Sequence, residues 1–300
     1  MSFSREIKKE LAGVSGNGRH CQLAELAALL AFEGKLTIRQ GELSLRLDTE
    51  NELVKERSRK LREQLFGISH RREELAQDET ERILSALCIW DPKQAILQDP
   101  RQVDGRLLER DCCKRAYIRG AFLAVGSMSD PQKGYHLEFV CSEPEQALQL
   151  QQVMDAFELD ARIIQRKKSH VVYLKEGEHI VDCLNVMGAH HSLMDLENVR
   201  IVKEMRNSVN RQVNCETANI SKTVNAAVRQ IAAIEYIRDH RGLDALPEKL
   251  REIALVRLEY QDISLQELGE KLSEPLGKSG VNHRLRKLIR MAEDMGMEEM

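Results

Sequence analysis

The chain has 300 residues, 31% of them charged and 42% apolar, with a net charge of −3. That balance excludes a disordered or membrane-embedded chain, and the length accommodates two domains, each with its own core. The longest uninterrupted apolar run, Leu26 to Phe32, falls far short of a bilayer span.

Residues 1–20 form the first predicted segment. Met1 to Leu11 reads as a short amphipathic helix with Phe3, Ile7 and Leu11 on one face, not as a signal peptide. Two helical segments, Leu23 to Gly34 and Arg115 to Gly126, then share a pattern rich in small residues and closed by glycine. Small residues let two helices approach closely, and the closing glycines are expected to take a left-handed turn. Lys35 to Arg39 and Glu42 to Asp48 alternate apolar and polar residues across Gln40-Gly41, a hairpin, and a helix follows from Glu50 to Leu65. Gly67 to Leu87 is polar and weakly periodic and reads as another hairpin. After the second helix come a strand from Tyr135 to Cys141, a helix from Pro144 to Phe157, and a hairpin, Asp160 to Gln165 with His170 to Leu174, around Lys167-Lys168-Ser169. One order of elements thus occurs twice, in repeats of about 21–97 and 112–205 within a domain spanning 21–205.

Residues 206–222 are polar and Asn-rich and read as a linker, partly helical because Asn207, Asn210 and Asn214 fall on one helical face. Residues 223–300 are helical by pattern: Thr223 to Asp239, Pro247 to Tyr260, Ser264 to Leu272 and Gly280 to Met295. Ser264-Leu265-Gln266-Glu267 is a capping box, and Ser279 is the expected N-cap of the last helix. In that helix Val281, Leu285, Leu288 and Ala292 define a buried seam. The opposite side carries His283, Arg286, Lys287 and Arg290, with Asn282 and Arg284 at its edges. This is the construction of a recognition helix: the seam holds it to its neighbour while long donors project into the major groove. The predicted DNA-binding residues are Lys278, Ser279, Asn282, His283, Arg284, Arg286, Lys287 and Arg290. A second set, Arg166, Lys167, Lys168, Arg206, Asn210 and Arg211, comes from a basic stretch without acids between Arg162 and Lys175 and from the Asn-rich segment.

Seven cysteines are scattered without a CxxC pair, so reduced thiols in a cytosolic, cytoplasmic protein are expected, with no structural disulfide. Adjacent Cys112 and Cys113 are the only suggestive pair. No histidine or second cysteine pair lies at ligand spacing in the sequence, and no metal or cofactor is expected. His190 and His191 are better explained by a loop or helix start.

The two glycine-closed helices resemble the signature helices of LAGLIDADG homing endonucleases, in which one carboxylate from each helix end serves a pair of metal ions. Here the residues before the closing glycines are Glu33 and Val125. A two-metal nuclease needs both acids, so the expected catalytic residues are none. Over its whole length the sequence resembles the WhiA family of sporulation and cell-division regulators of Gram-positive bacteria. The resemblance is carried by Met1-Ser2-Phe3-Ser4 with Lys8-Lys9-Glu10-Leu11, and by Cys112-Cys113-Lys114-Arg115 with Arg119-Gly120-Ala121-Phe122. It continues through Val186-Met187-Gly188-Ala189-His190, Met205-Arg206-Asn207-Ser208-Val209-Asn210-Arg211, Asn214-Cys215-Glu216-Thr217-Ala218-Asn219 and Lys278-Ser279-Gly280-Val281-Asn282-His283-Arg284-Leu285-Arg286-Lys287.

The resemblance implies an α+β fold: a degenerate two-repeat LAGLIDADG-like domain without nuclease activity, then an all-α helix-turn-helix domain similar to sigma-factor region four. It implies a sequence-specific DNA-binding transcriptional regulator of sporulation, cell division or chromosome segregation. Double-stranded DNA is the expected partner, with RNA polymerase, its sigma factor or another regulator as further ones, in the cytoplasm at the nucleoid and not at a membrane. The alternative is a division- or nucleoid-associated interaction protein in which DNA binding is secondary.

Overall fold

The computed structural model describes residues 2–14, 18–39, 42–70, 72, 74–91, 93 and 96–297. The Gln40-Gly41 turn expected above lies outside them. The chain divides into two compact units, Met1–Lys203 and Glu204–Met300, each with a separate apolar core.

The first unit is organised around two helices, α2 (Arg19–Glu33) and α5 (Asp111–Val125). They make the most extensive helix–helix contact in the unit. Their approach depends on small residues: a Cβ on Gly120 would lie 2.7 Å from the Glu25 carbonyl oxygen and 2.8 Å from the Ala28 Cβ. The N-terminal helix α1 (Phe3–Gly13) buries Ile7 and Leu11, as its periodicity predicts, in this same core.

The closing glycines differ from expectation. Gly34 and Gly126 are extended, with φ −76° and −79°, not left-handed. Glycine is needed there because the chain leaves each helix directly into a strand: a Cβ on Gly34 would lie 2.2 Å from the Leu30 carbonyl oxygen, and one on Gly126 would lie 2.4 Å from the Phe122 ring.

After α2, strands β1 (Gly34–Arg39) and β2 (Glu42–Leu47) pair antiparallel, and α3 (Glu52–Phe66) is capped by the Asn51 side chain, which accepts from the Leu53 amide at 3.1 Å. The hairpin expected in Gly67 to Leu87 is instead the helix α4 (Gln77–Ala86), which packs on β2. Its cause is a helical set, Thr80, Ile83, Leu84 and Leu87, all buried. A short ribbon, β3 (Trp90–Asp91) with β4 (Ile96–Leu97), closes the first repeat. The second repeat is fuller: β5 (Gly126–Met128), β6 (Leu137–Cys141), β7 (Arg162–Arg166) and β8 (Ser169–Leu174) form an antiparallel sheet in the order β5-β6-β8-β7. The helix α6 (Pro144–Asp155) packs on it, starting on proline at N1. Gln146 of α6 donates at 2.6 Å to the Ala31 carbonyl in the last turn of α2, a buried bond between the repeats.

The centre of this unit holds a buried charge triad. Glu25 of α2 accepts from Arg57 Nε (2.5 Å) and Nη2 (2.9 Å) of α3, and from Arg119 Nε (3.0 Å) and Nη2 (2.9 Å) of α5. Arg119 also donates to the Met187 carbonyl at 3.2 Å, the last residue of α7 (Gly177–Met187). All three side chains are buried.

Helix α8 (His190–Arg241) runs through the division between the units, and residues 206–222, expected to be a partly helical linker, lie wholly within it. His190 and His191 stand at its start, as expected. The Glu10 carboxylate of α1 accepts from the His191 amide (2.7 Å) and the Ser192 amide (3.0 Å), which satisfies two of the first-turn donors. In the second unit the end of α8 contributes Ala233, Ile234 and Ile237 to a core shared with α9 (Glu248–Glu259), α10 (Leu265–Glu270) and α11 (Lys278–Asp294). The predicted capping box forms: Ser264 Oγ accepts from the Glu267 amide at 3.3 Å, and Glu267 accepts from the Ser264 amide at 2.8 Å.

Candidate nucleic-acid interface

Helix α11 is built as its pattern predicts. Val281, Leu285, Leu288 and Ala292 are at most 1% exposed, and they hold the helix against α9 and α10. It begins two residues earlier than expected: Gly277 is the N-cap residue, and Ser279 lies exposed within the first turn rather than capping it. Lys278, Ser279, His283, Arg286, Lys287 and Arg290 are exposed, and Asn282 and Arg284 half-buried. Arg284 turns back toward α9, with its Nη1 3.5 Å from the Lys249 carbonyl. The nearby Arg284 and Lys249 charges help hold Glu252 below the usual carboxylate range, though the Ser273 bond to it is the larger cause.

Asn282, Arg286 and Arg290 face a groove whose other wall is α8, through Asn225, Val228 and Arg229. Arg229 is ion-paired to Glu293 at 2.7 Å. Sequence reasoning missed Asn225 and Arg229, although their i, i+4 spacing puts both on one helical face. His283 and Lys287 lie on the adjoining exposed strip.

The second predicted set is divided between the two units. Arg166, Lys167 and Lys168 are exposed at the β7–β8 turn, but Arg166 is bridged across β8 to Glu138 of strand β6 at 3.3 Å. Arg162 is bridged to Asp160 at 3.2 Å. The stretch has no acid in sequence, yet Asp160 stands just before it and folding brings in Glu138. Arg206, Asn210 and Arg211 belong to the other unit, on the exposed part of α8.

The C-terminal ends of α2 and α5 are where a two-metal nuclease of this fold would hold its carboxylates. Glu33 is half-buried, and burial raises its carboxyl above the usual range against the opposing charge of Lys8, with Asp48 raising it further. The equivalent position on α5 is the apolar Val125. Among the described residues no cluster of three carboxylate ligands occurs there.

At the opposite ends of the same helices four donor atoms converge. His20 Nδ1 lies 3.2 Å from Cys21 Sγ, 3.2 Å from Cys113 Sγ and 3.8 Å from Cys112 Sγ. All four ligand atoms are within 4.8 Å of one another. Burial, and then the adjacent thiols, push Cys21 up to about 12. The absence of a metal ligand set expected above is thus not what the structure presents. All seven cysteines are free thiols.

The fold and this surface define a class: a two-repeat LAGLIDADG-like unit followed by a helix-turn-helix unit. The chain matches three family models, the WhiA N-terminal LAGLIDADG-like domain at residues 19–78, the WhiA LAGLIDADG-like domain at 114–206 and the WhiA C-terminal HTH domain at 209–292. It belongs to the WhiA family. Relatives include "Probable cell division protein WhiA" of Lachnoclostridium phytofermentans, 48% identical over 98% of this chain and 99% of the relative, and its namesake in Alkaliphilus oremlandii, 49% identical over 97% of each. The crystal structure of full-length WhiA from Thermatoga maritima aligns with a TM-score of 0.56 at 28% identity, covering 99% of this chain and all of that one. Among the described residues no helix is long and apolar enough to cross a membrane.

Proposed function

We propose that this protein is a sequence-specific DNA-binding transcriptional regulator acting in cell division, and in sporulation where the organism sporulates, at the nucleoid and without nuclease activity. The observation that carries the reading is α11: an apolar seam that fixes its orientation and an outward basic face with no acidic residue from Lys278 to Arg290. Such a helix has the chemistry to enter the major groove. In this reading Asn282, His283 and Arg286, near its N-terminus, contact base edges. Lys278, Ser279, Lys287 and Arg290 contact phosphates. RNA polymerase or its sigma factor is the partner this role calls for.

A second reading, an interaction protein of the division machinery in which DNA binding is secondary, is favoured by the cell-division names of the relatives. Selection from a random pool of duplexes separates the two. The full chain is expected to enrich one sequence, and enrichment of none would favour the second reading. The absence of cleavage is tested on supercoiled plasmid with magnesium or manganese: the plasmid is expected to stay intact. Metal-dependent nicking that disappears in Glu33→Ala would overturn that part of the proposal.

A further inference from the structure

The cluster at the N-terminal ends of α2 and α5 is not among the residues proposed above to contact DNA. His20 and Cys21 are the second and third residues of α2, and Cys112 and Cys113 are the second and third of α5. The repeat therefore presents the same two positions from each half. We propose that His20, Cys21, Cys112 and Cys113 form a closed structural zinc site that clips the N-terminal ends of the two repeats together.

The donor set, three thiols and one imidazole, is a zinc set, and four protein ligands leave no open position for catalysis. Tetrahedral zinc, with bonds of about 2.3 Å to sulfur and 2.0–2.1 Å to nitrogen, would separate its ligand atoms by about 3.6–3.8 Å. The observed separations from His20 Nδ1, 3.2 to 3.8 Å, need only small side-chain adjustments to reach that geometry. Within a helix, adjacent residues diverge. Here one pair comes from each of two packed helix starts, and the four atoms still meet. Packing alone explains Cys21 and Cys113, which are 1% and 3% exposed, but it gives no reason for an imidazole among three sulfurs. His20 and Cys112 are half-buried, which gives the ion a way in.

The test uses the full-length reduced chain with cobalt(II) as the probe. One cobalt per chain is expected, with the visible absorption of a tetrahedral ion and a sulfur-to-metal charge-transfer band, both removed when zinc is added. His20→Ala and Cys112→Ser, at the half-buried positions, should each weaken cobalt binding at least about tenfold, while Cys215→Ser, in the other unit, should not change it. The clip should also show in stability: zinc is expected to raise the melting temperature of the wild-type chain but not of Cys112→Ser. The proposal is overturned if the folded chain gives no tetrahedral thiolate spectrum, or if both His20→Ala and Cys112→Ser keep it unchanged. It is equally overturned if freshly isolated protein holds no metal and two of these cysteines are joined in a disulfide.

Discussion

Glu25→Ala is expected to destabilise the first unit by about 3–5 kcal/mol, because it leaves two buried guanidinium groups without their shared counter-charge. Arg57 and Arg119 each direct two nitrogens at this carboxylate within 3.0 Å. Among the described residues only Arg119 has a further acceptor, the Met187 carbonyl, so most of the desolvation of the two cations would go uncompensated. The triad joins α2, α3 and α5, and its loss should loosen the contact between the repeats, not merely one side chain. Thermal unfolding followed by calorimetry checks this. A loss below about 1 kcal/mol, the range of exposed pairs, would mean that water reaches the triad and that it does not organise the core.

Leu285→Ala is expected to cost the second unit about 2–5 kcal/mol, the range for removing a buried leucine that leaves a cavity. Leu285 is 1% exposed in a core drawn from α8, α9, α10 and α11, and a unit of this size has little surplus stability. DNA binding should weaken with it, since the seam orients the basic face. The two cores are separate, so the calorimetric transition of the first unit should stay where it is. If both transitions shift together, the units do not unfold independently.

How much of this was legible in the sequence follows from where the information lay. The seam of α11, the paired helices α2 and α5 and the second repeat's strands were readable because each buries residues at a local period. Helix α4 carried the same kind of signal, Thr80, Ile83, Leu84 and Leu87, but the polar residues around it obscured the pattern. The closing glycines were located correctly and explained wrongly: their need comes from the abrupt helix-to-strand exit, not from a left-handed turn. Residues 206–222 continue as helix despite their polar character, because an uninterrupted run without proline or glycine has nothing to end it. The Glu25 triad and the His–Cys cluster were out of reach, since each joins residues of different segments, 94 apart for Glu25 with Arg119 and 92 for His20 with Cys112. No local spacing records such a meeting. The same limit hid Glu138, which bridges Arg166 from 28 residues away, whereas Asp160 stands two residues from the Arg162 it bridges.

The central claim, that α11 reads DNA, is tested most directly by measuring binding of Arg286→Ala and Lys287→Ala, in the full chain, to a selected site and to random duplex at several salt concentrations. Arg286→Ala is predicted to cost about 1–3 kcal/mol at the selected site and to relax preference at one position. Lys287→Ala is predicted to weaken both duplexes alike and to reduce the salt slope by about one. If Arg286→Ala leaves affinity and preference unchanged, α11 is not the reader, and the exposed Lys167 and Lys168 turn of the first unit becomes the better place to look.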